Sequence, residues 1–320
     1  MPKKYLITGG SGFIGAALVK KLVAEGHQVR VLDNNSRGHL RRLQDVLNNI
    51  EFIEGDIRDP QTVKDAVKGQ DAICHLAYVN GTKFFYSQPQ VILDIAVKGM
   101  TNILDACLEH NVRELILASS SEVYQTPPTI PTDETAPLVV PDVLNPRYSY
   151  GGGKIISELM AINYGRHYFD RVLIFRPHNV YGPDMGWEHV IPEFCVRLIQ
   201  SENKEFPIQG NGQEKRSFIY IDDFIQGLMA VINKGQHLNI YHIGTQEEVI
   251  MGDLARLTAT SLGKDIHIIA GQLQPGSALR RCPDIQKLTK LGFQPEWSLE
   301  KGVHMTAEWY KSNLNLQPKD

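Results

Sequence analysis

The chain has no excess of basic residues. Lys and Arg number 33 against 36 Asp and Glu, a formal net charge of -3 over 320 residues. It therefore lacks the general electropositive field that holds nucleic acid or an anionic membrane surface, and any anion has to be gripped locally. Cysteine is scarce and scattered: Cys74, Cys107, Cys195 and Cys282 form no CxxC pair and no Cys/His cluster. That spacing excludes a disulfide framework, suggests no metal site and leaves the four to be read as buried thiols. Long apolar runs are missing too, with nothing near the roughly 20 residues that span a bilayer. Met1 leads into an apolar strand at Tyr5 without a charged leader and cleavable apolar core, so a cytoplasmic location is expected.

What is present is alternation. Apolar runs rich in β-branched residues recur at Lys4–Thr8, Gln28–Asp33, Glu51–Glu54, Asp71–Ala77, Arg113–Ala118 and Arg171–Arg176. Between them lie amphipathic stretches of helical length at Phe13–Glu25, Thr62–Lys68, Pro89–His110 and Ser149–Tyr168. Strand and helix in alternation predict an α/β fold, a doubly wound parallel sheet of the Rossmann type whose ligands bind beyond the carboxyl ends of the strands. After Arg176 the pattern breaks at Pro177, Gly182, Pro183, Gly186, Pro192 and Pro207, which predicts a smaller C-terminal lobe. Residues 1–176 are then the dinucleotide domain, residues 217–245 return to it, and residues 177–216 and 246–320 form the substrate lobe. Disorder is expected only at Asn315–Asp320.

The first strand runs into Thr8-Gly9-Gly10-Ser11-Gly12-Phe13-Ile14-Gly15, and a helix starts near Phe13. Absent β-carbons at Gly9, Gly12 and Gly15 let the turn tighten and a pyrophosphate approach, while the helix N-terminus offers free N–H groups. Alone, the glycine pattern also fits an ordinary strand-to-helix turn. Asp33 ends the second strand, where a carboxylate accepts hydrogen bonds from the adenosine ribose hydroxyls and repels a 2′-phosphate, favouring NAD over NADP. Arg37 lies close enough to oppose that preference. Asp56, in Gly55-Asp56-Ile57, is placed to meet the adenine edge or simply to form a Gly-Asp turn.

Tyr150-Gly151-Gly152-Gly153-Lys154 opens a helix, and positions four apart share a face. An ammonium beside the phenol would favour its ionised form, making Tyr150 a usable base close to neutral pH. A surface Tyr and Lys one turn apart is the plain alternative. The fifth strand delivers Ser119-Ser120-Ser121-Glu122-Val123-Tyr124 to the same sheet edge, where a Ser hydroxyl can share a proton with Tyr150.

Together these segments resemble the extended short-chain dehydrogenase/reductase family of nucleotide-sugar epimerases and dehydratases. The resemblance also takes in His75-Leu76-Ala77, Arg176-Pro177-His178-Asn179-Val180-Tyr181-Gly182-Pro183, Arg216–Asp223, Tyr241–Thr245 and Arg280–Trp297. It implies Ser120 as the catalytic hydroxyl, Tyr150 as the base and Lys154 as its activator and nicotinamide-ribose ligand. NAD would lie against Phe13, Ile14, Asn34, Ile57, Leu76 and Ala77, besides the glycines, Asp33 and Asp56. Asn179 and Arg216 would bind the diphosphate of a nucleotide sugar, with Arg280 or Arg281 as a second cation, and the enzyme would be a homodimer. Two departures stand out: Ala96 occupies a position where many relatives carry Asn, and Tyr78 stands where many carry Ala, narrowing the sugar pocket.

The resemblance implies oxidation at C4 of the sugar to a 4-ketone, with three competing outcomes. A 4-epimerase returns hydride to the other face, a 4,6-dehydratase eliminates water, and a decarboxylase releases carbon dioxide. Glu122 can act as the base at C5 or stand behind the reacting groups. Ser121 is a poor acid for a leaving hydroxyl, and that, with the chain length, puts 4-epimerase slightly ahead. A non-catalytic dinucleotide-binding regulator is the reading from another class.

Overall fold

The structure, a computed structural model, describes residues 2–272 and 279–318. Lys319 and Asp320, at the end of the stretch expected to be disordered, lie outside the described residues, whereas Leu314–Leu316 forms a short turn of 3-10 helix. Seven parallel strands form the main sheet: β1 Lys4–Thr8, β2 Gln28–Asp33, β3 Ile50–Glu54, β4 Ala72–His75, β5 Glu114–Ala118, β6 Arg171–Pro177 and β7 Asn239–Ile243. Their order is β7-β6-β5-β4-β1-β2-β3. The chain winds outward from β1 to β3, then returns to β4 on the other side of β1. Between β1 and β4 a crevice therefore opens at the carboxyl ends, the place where ligands bind in sheets of this kind.

Both faces of the sheet are covered, which is why its strands read as near-continuous apolar runs. Tyr5 and Ile7 of β1, with Ile116 and Ala118 of β5, face a core that extends through Phe224 and Leu228 to Val303 and Tyr310. The intervening Leu6, Leu115 and Leu117 face the opposite core, closed by Val63, Met100, Ile103 and Leu104. That alternation is the period of two inherent in a strand. The helix Ile221–Lys234 packs over the first core, and β7 pairs in parallel with β6. Outside the sheet, Glu205–Ile208 pairs with His267–Ala270, and Lys215–Ser217 pairs with Glu248–Ile250 and Arg280–Arg281.

The stretch predicted as one helix over Pro89–His110 is helical throughout, but it widens into a π-type turn over Ile95–Gly99. Gly99 lies there against Ile57, with no room for a β-carbon. All four cysteines are free and buried. Among the described residues no helix is long and apolar enough to cross a membrane.

Candidate active site

A cleft of about 710 Å³ occupies the crevice and runs from Asp33 and Asp56 at one end to Tyr150 and Glu122 at the other. The glycine loop forms its floor. Gly9 has φ +73°, and a β-carbon there would stand 2.7 Å from the Ala77 backbone; one on Gly15 would stand 2.1 Å from the Gly9 carbonyl oxygen. Gly12 serves as N-cap of the helix Phe13–Ala24 without any side-chain cap, so the first-turn amides are left to whatever enters the cleft. An uncapped helix N-terminus behind a close-packed glycine turn fits a pyrophosphate.

Asp33 is buried at the far end. Its carboxylate accepts hydrogen bonds from the Ser11 and Asn35 N–H groups, each at 2.9 Å, which fixes its position. Asn34 donates to Asp56 at 3.1 Å, and the hydrogen bond from Arg58 brings the Asp56 carboxyl down to about 2. Ile57, Leu76 and Ala77 line the wall between. Arg37, the residue expected to oppose the preference for NAD, is held in a two-pronged ion pair with Glu188 at 3.1 and 3.2 Å, and its guanidinium lies over Phe84.

At the other end Tyr150 and Lys154 are both buried at the start of the helix Ser149–Tyr168. The Ser120 side chain favours the ionised form of the phenol. Phe85 stacks on its ring, with centroids 5.0 Å apart, and Tyr78 meets it edge-on at 5.2 Å. Gly151 and Gly153 make this fit possible: β-carbons there would stand 3.0 Å from the Glu122 carbonyl oxygen and 2.2 Å from the Tyr78 hydroxyl.

Burial pushes the Tyr150 phenol up to about 12, with Ser120 opposing. The lysine is itself brought down to about 7 by burial, with Glu158 opposing. Its ammonium donates to the Ala118 carbonyl at 2.7 Å and lies 3.9 Å from the centre of the Tyr78 ring. His75, brought down to about 3 chiefly by burial, is a neutral group bonded to Thr8.

The two arginines left as alternatives separate cleanly. Adjacent residues of a strand point to opposite sides, and Arg280 bonds Glu248 at 2.7 and 2.5 Å, away from the cleft. Arg281 instead forms an ion pair with Glu122. Burial works against the Glu122 charge, but Arg281 outweighs it, aided by Arg147 and Arg216, and the carboxyl lies below its ordinary value. Burial, with Arg281 beside it, lowers Arg216 to about 10. Asn179 lines the cleft and donates its amide to the Ser217 carbonyl at 2.7 Å.

Two residues of the site escaped the sequence reading. Phe85 comes from a loop-borne helical turn with no motif of its own. Arg147 lines the cleft one turn ahead of Tyr150, and its Nε is buried without a partner among the described residues. Its place in Pro146-Arg147, so close to Tyr150, was the one available signal.

The chain belongs to the NAD dependent epimerase/dehydratase family, whose profile matches residues 5–244. It is an enzyme and its cofactor is NAD. It is 30% identical to the UDP-N-acetyl-alpha-D-glucosaminuronate decarboxylase of Bacillus cytotoxicus, over 98% of this chain and 100% of that one. Among solved structures it resembles the NAD-bound dTDP-glucose 4,6-dehydratase of Streptomyces venezuelae, at 30% identity, TM-score 0.87 and 98% of each chain. It is similar also to the UDP-glucose 4-epimerase of Thermotoga maritima with UDP-glucose, at 26% identity, TM-score 0.87, and 97% of this chain and 99% of that one.

With Asp33 at the ribose end and Arg37 engaged by Glu188, NAD should bind in preference to NADP. Titration of both cofactors checks this, and equal or tighter NADP binding would mean that Arg37 leaves Glu188 for the 2′-phosphate.

Proposed function

We propose that this enzyme oxidises C4 of a nucleotide-activated uronate and releases the sugar's carboxylate as carbon dioxide. The observation that carries the reading is the Glu122–Arg281 ion pair beside Ser120 and Tyr150, with Arg147 and Arg216 acting on the same carboxylate. As a C5 base for dehydration Glu122 would be ionised but weak, because the Arg281 guanidinium engages it and lowers its pKa. Cations for the diphosphate are common to all three reactions, but a uronate needs further donors for its own carboxylate, and Arg147 and Arg281, each with a buried Nε unpartnered among the described residues, supply them. The kinship with a glucosaminuronate decarboxylase supports this choice over the 4-epimerase that the sequence alone puts ahead.

In this reading Ser120 and Tyr150 receive the C4 hydroxyl, and Tyr150 takes its proton. NAD supplies the hydride acceptor and the positive charge that the buried phenol lacks from its own surroundings. The 4-ketone is β to the C6 carboxylate. As the C5–C6 bond breaks, its electron pair moves into a C4 enolate, whose oxygen accepts hydrogen bonds from the Tyr150 and Ser120 hydroxyls. Protonation at C5 and return of hydride to C4 then complete the exchange of carbon dioxide for a proton. Asn179 and Arg216 hold the diphosphate, and residues 177–216 and 246–320 form the lobe that carries it. The enzyme works in the cytoplasm as a homodimer joined through Leu93, Val97, Ile156 and Leu159, which are exposed on the two long helices.

Incubation with UDP-glucuronate, UDP-N-acetylglucosaminuronate, UDP-glucose and dTDP-glucose, read by product mass, tests the reaction. A uronate product lighter by carbon dioxide is expected. Unchanged mass or loss of water, with the uronates left intact, would replace decarboxylation by epimerisation or dehydration. Light scattering at micromolar concentration should give twice the chain mass, and a monomer would contradict the helix pairing.

A further inference from the structure

Tyr78 is one of the two positions at which the chain departs from what the family resemblance implies, and it lines the cleft. The hydroxyl is buried without a hydrogen-bond partner among the described residues. It fills the notch left by Gly153, where a β-carbon would stand 2.2 Å away. A buried, unpartnered hydroxyl is costly to keep, so the use of the residue has to be sought in its ring. One edge contact reaches Tyr150 at 5.2 Å, and the face receives the Lys154 ammonium at 3.9 Å.

We infer that Tyr78 is a positioning residue for Lys154: its ring face holds the buried ammonium in its charged form beside Tyr150. The inference rests on the reading of Tyr150 and Lys154 as the proton-handling pair. Lys154 has few other sources of stabilisation. On its own helix Glu158 attracts it, but that carboxylate is engaged by Arg176 at 2.8 and 2.6 Å. From β4 it faces His75, which is neutral, and from the end of β5 it has the Ala118 carbonyl. Burial disfavours a negative charge on Tyr150, so the phenol adds no strong attraction of its own. Burial works against the ammonium, and the negative face of an aromatic ring is a direct counterweight.

The sign of the effect is fixed. A ring face favours the charged lysine, so removing it lowers the Lys154 pKa and moves the loss of charge to lower pH. The expected change is roughly threefold to thirtyfold in the acid dissociation constant, about half to one and a half pH units. The test follows the Lys154 side-chain carbon by NMR in the full chain saturated with NAD, its signal assigned by loss in Lys154→Arg. Tyr78→Leu should show the downward shift, and Tyr78→Phe, which keeps the face, should restore the titration to within about 0.3 unit of the parent. Should Tyr78→Leu fail to fold, pentafluorophenylalanine at 78 keeps the ring's shape, removes the negative face and should give the same downward shift.

The basic limb of the pH–rate profile should move with the titration. A residue that only fills space would alter Tm or turnover without moving either curve. Equal Lys154 titrations in all variants, or an upward shift in Tyr78→Leu, would overturn the inference. Full turnover in Tyr150→Phe would instead overturn the catalytic reading beneath it, and the NMR result would still decide the contact between Tyr78 and Lys154.

Discussion

The ion pair between Arg176 and Glu158 is the contact on which the geometry of the cleft depends. Both side chains are buried, bonded at 2.8 and 2.6 Å, and they join β6 to the helix that carries Tyr150 and Lys154. Arg176 also donates to the Tyr124 hydroxyl, and Tyr124 meets His242 of β7 at 2.6 Å. Glu158 lies one turn after Lys154, and Tyr124 lies two residues after Glu122. One guanidinium therefore fixes the helix, the strand end and the short turn that together present the reacting groups. Removing one partner of such a buried pair leaves an uncompensated charge and costs about 3–5 kcal/mol.

Around that anchor the cleft separates two electrical environments. At the Tyr150 end the groups are buried, with Phe85 and Tyr78 packed on the phenol, so a phenolate and an ammonium are both disfavoured. At the Glu122 end, guanidinium groups hold a carboxylate ionised. Ser120 stands between the two ends, accepting the Glu122 N–H at 3.1 Å. A uronate whose hydroxyl reaches Tyr150 while its carboxylate reaches Arg147 and Arg281 would use both.

Much of this was legible in the sequence, for identifiable reasons. Strands buried on both faces leave apolar runs ending at Thr8, Asp33 and Ala118, and the glycine loop announces its strand-to-helix turn through local constraints alone. The helix Ser149–Tyr168 was readable to the residue. Ser120, Tyr150 and Lys154, which motifs singled out, come together at one end of the cleft. What escaped depends on contacts between distant segments. Nothing local says that Arg281 will pair with Glu122 while Arg280 turns to Glu248, or that Phe85 will stack on Tyr150. Spacing reveals the lysine one turn away, but not the burial of the phenol, to which rings from other segments contribute. The widening at Ile95–Gly99 likewise answers to Gly99 packing on Ile57, which helical periodicity does not encode.

The central claim is that Tyr150 removes a proton from the substrate while the nicotinamide is reduced and later reoxidised within one turnover. Rapid mixing of the NAD-loaded enzyme with UDP-glucuronate, followed by the near-ultraviolet absorbance of reduced nicotinamide, tests this directly. The account predicts a transient rise that decays as carbon dioxide is released and that is lost in Tyr150→Phe. Carbon dioxide release with no such transient, or the same transient in Tyr150→Phe, would contradict it.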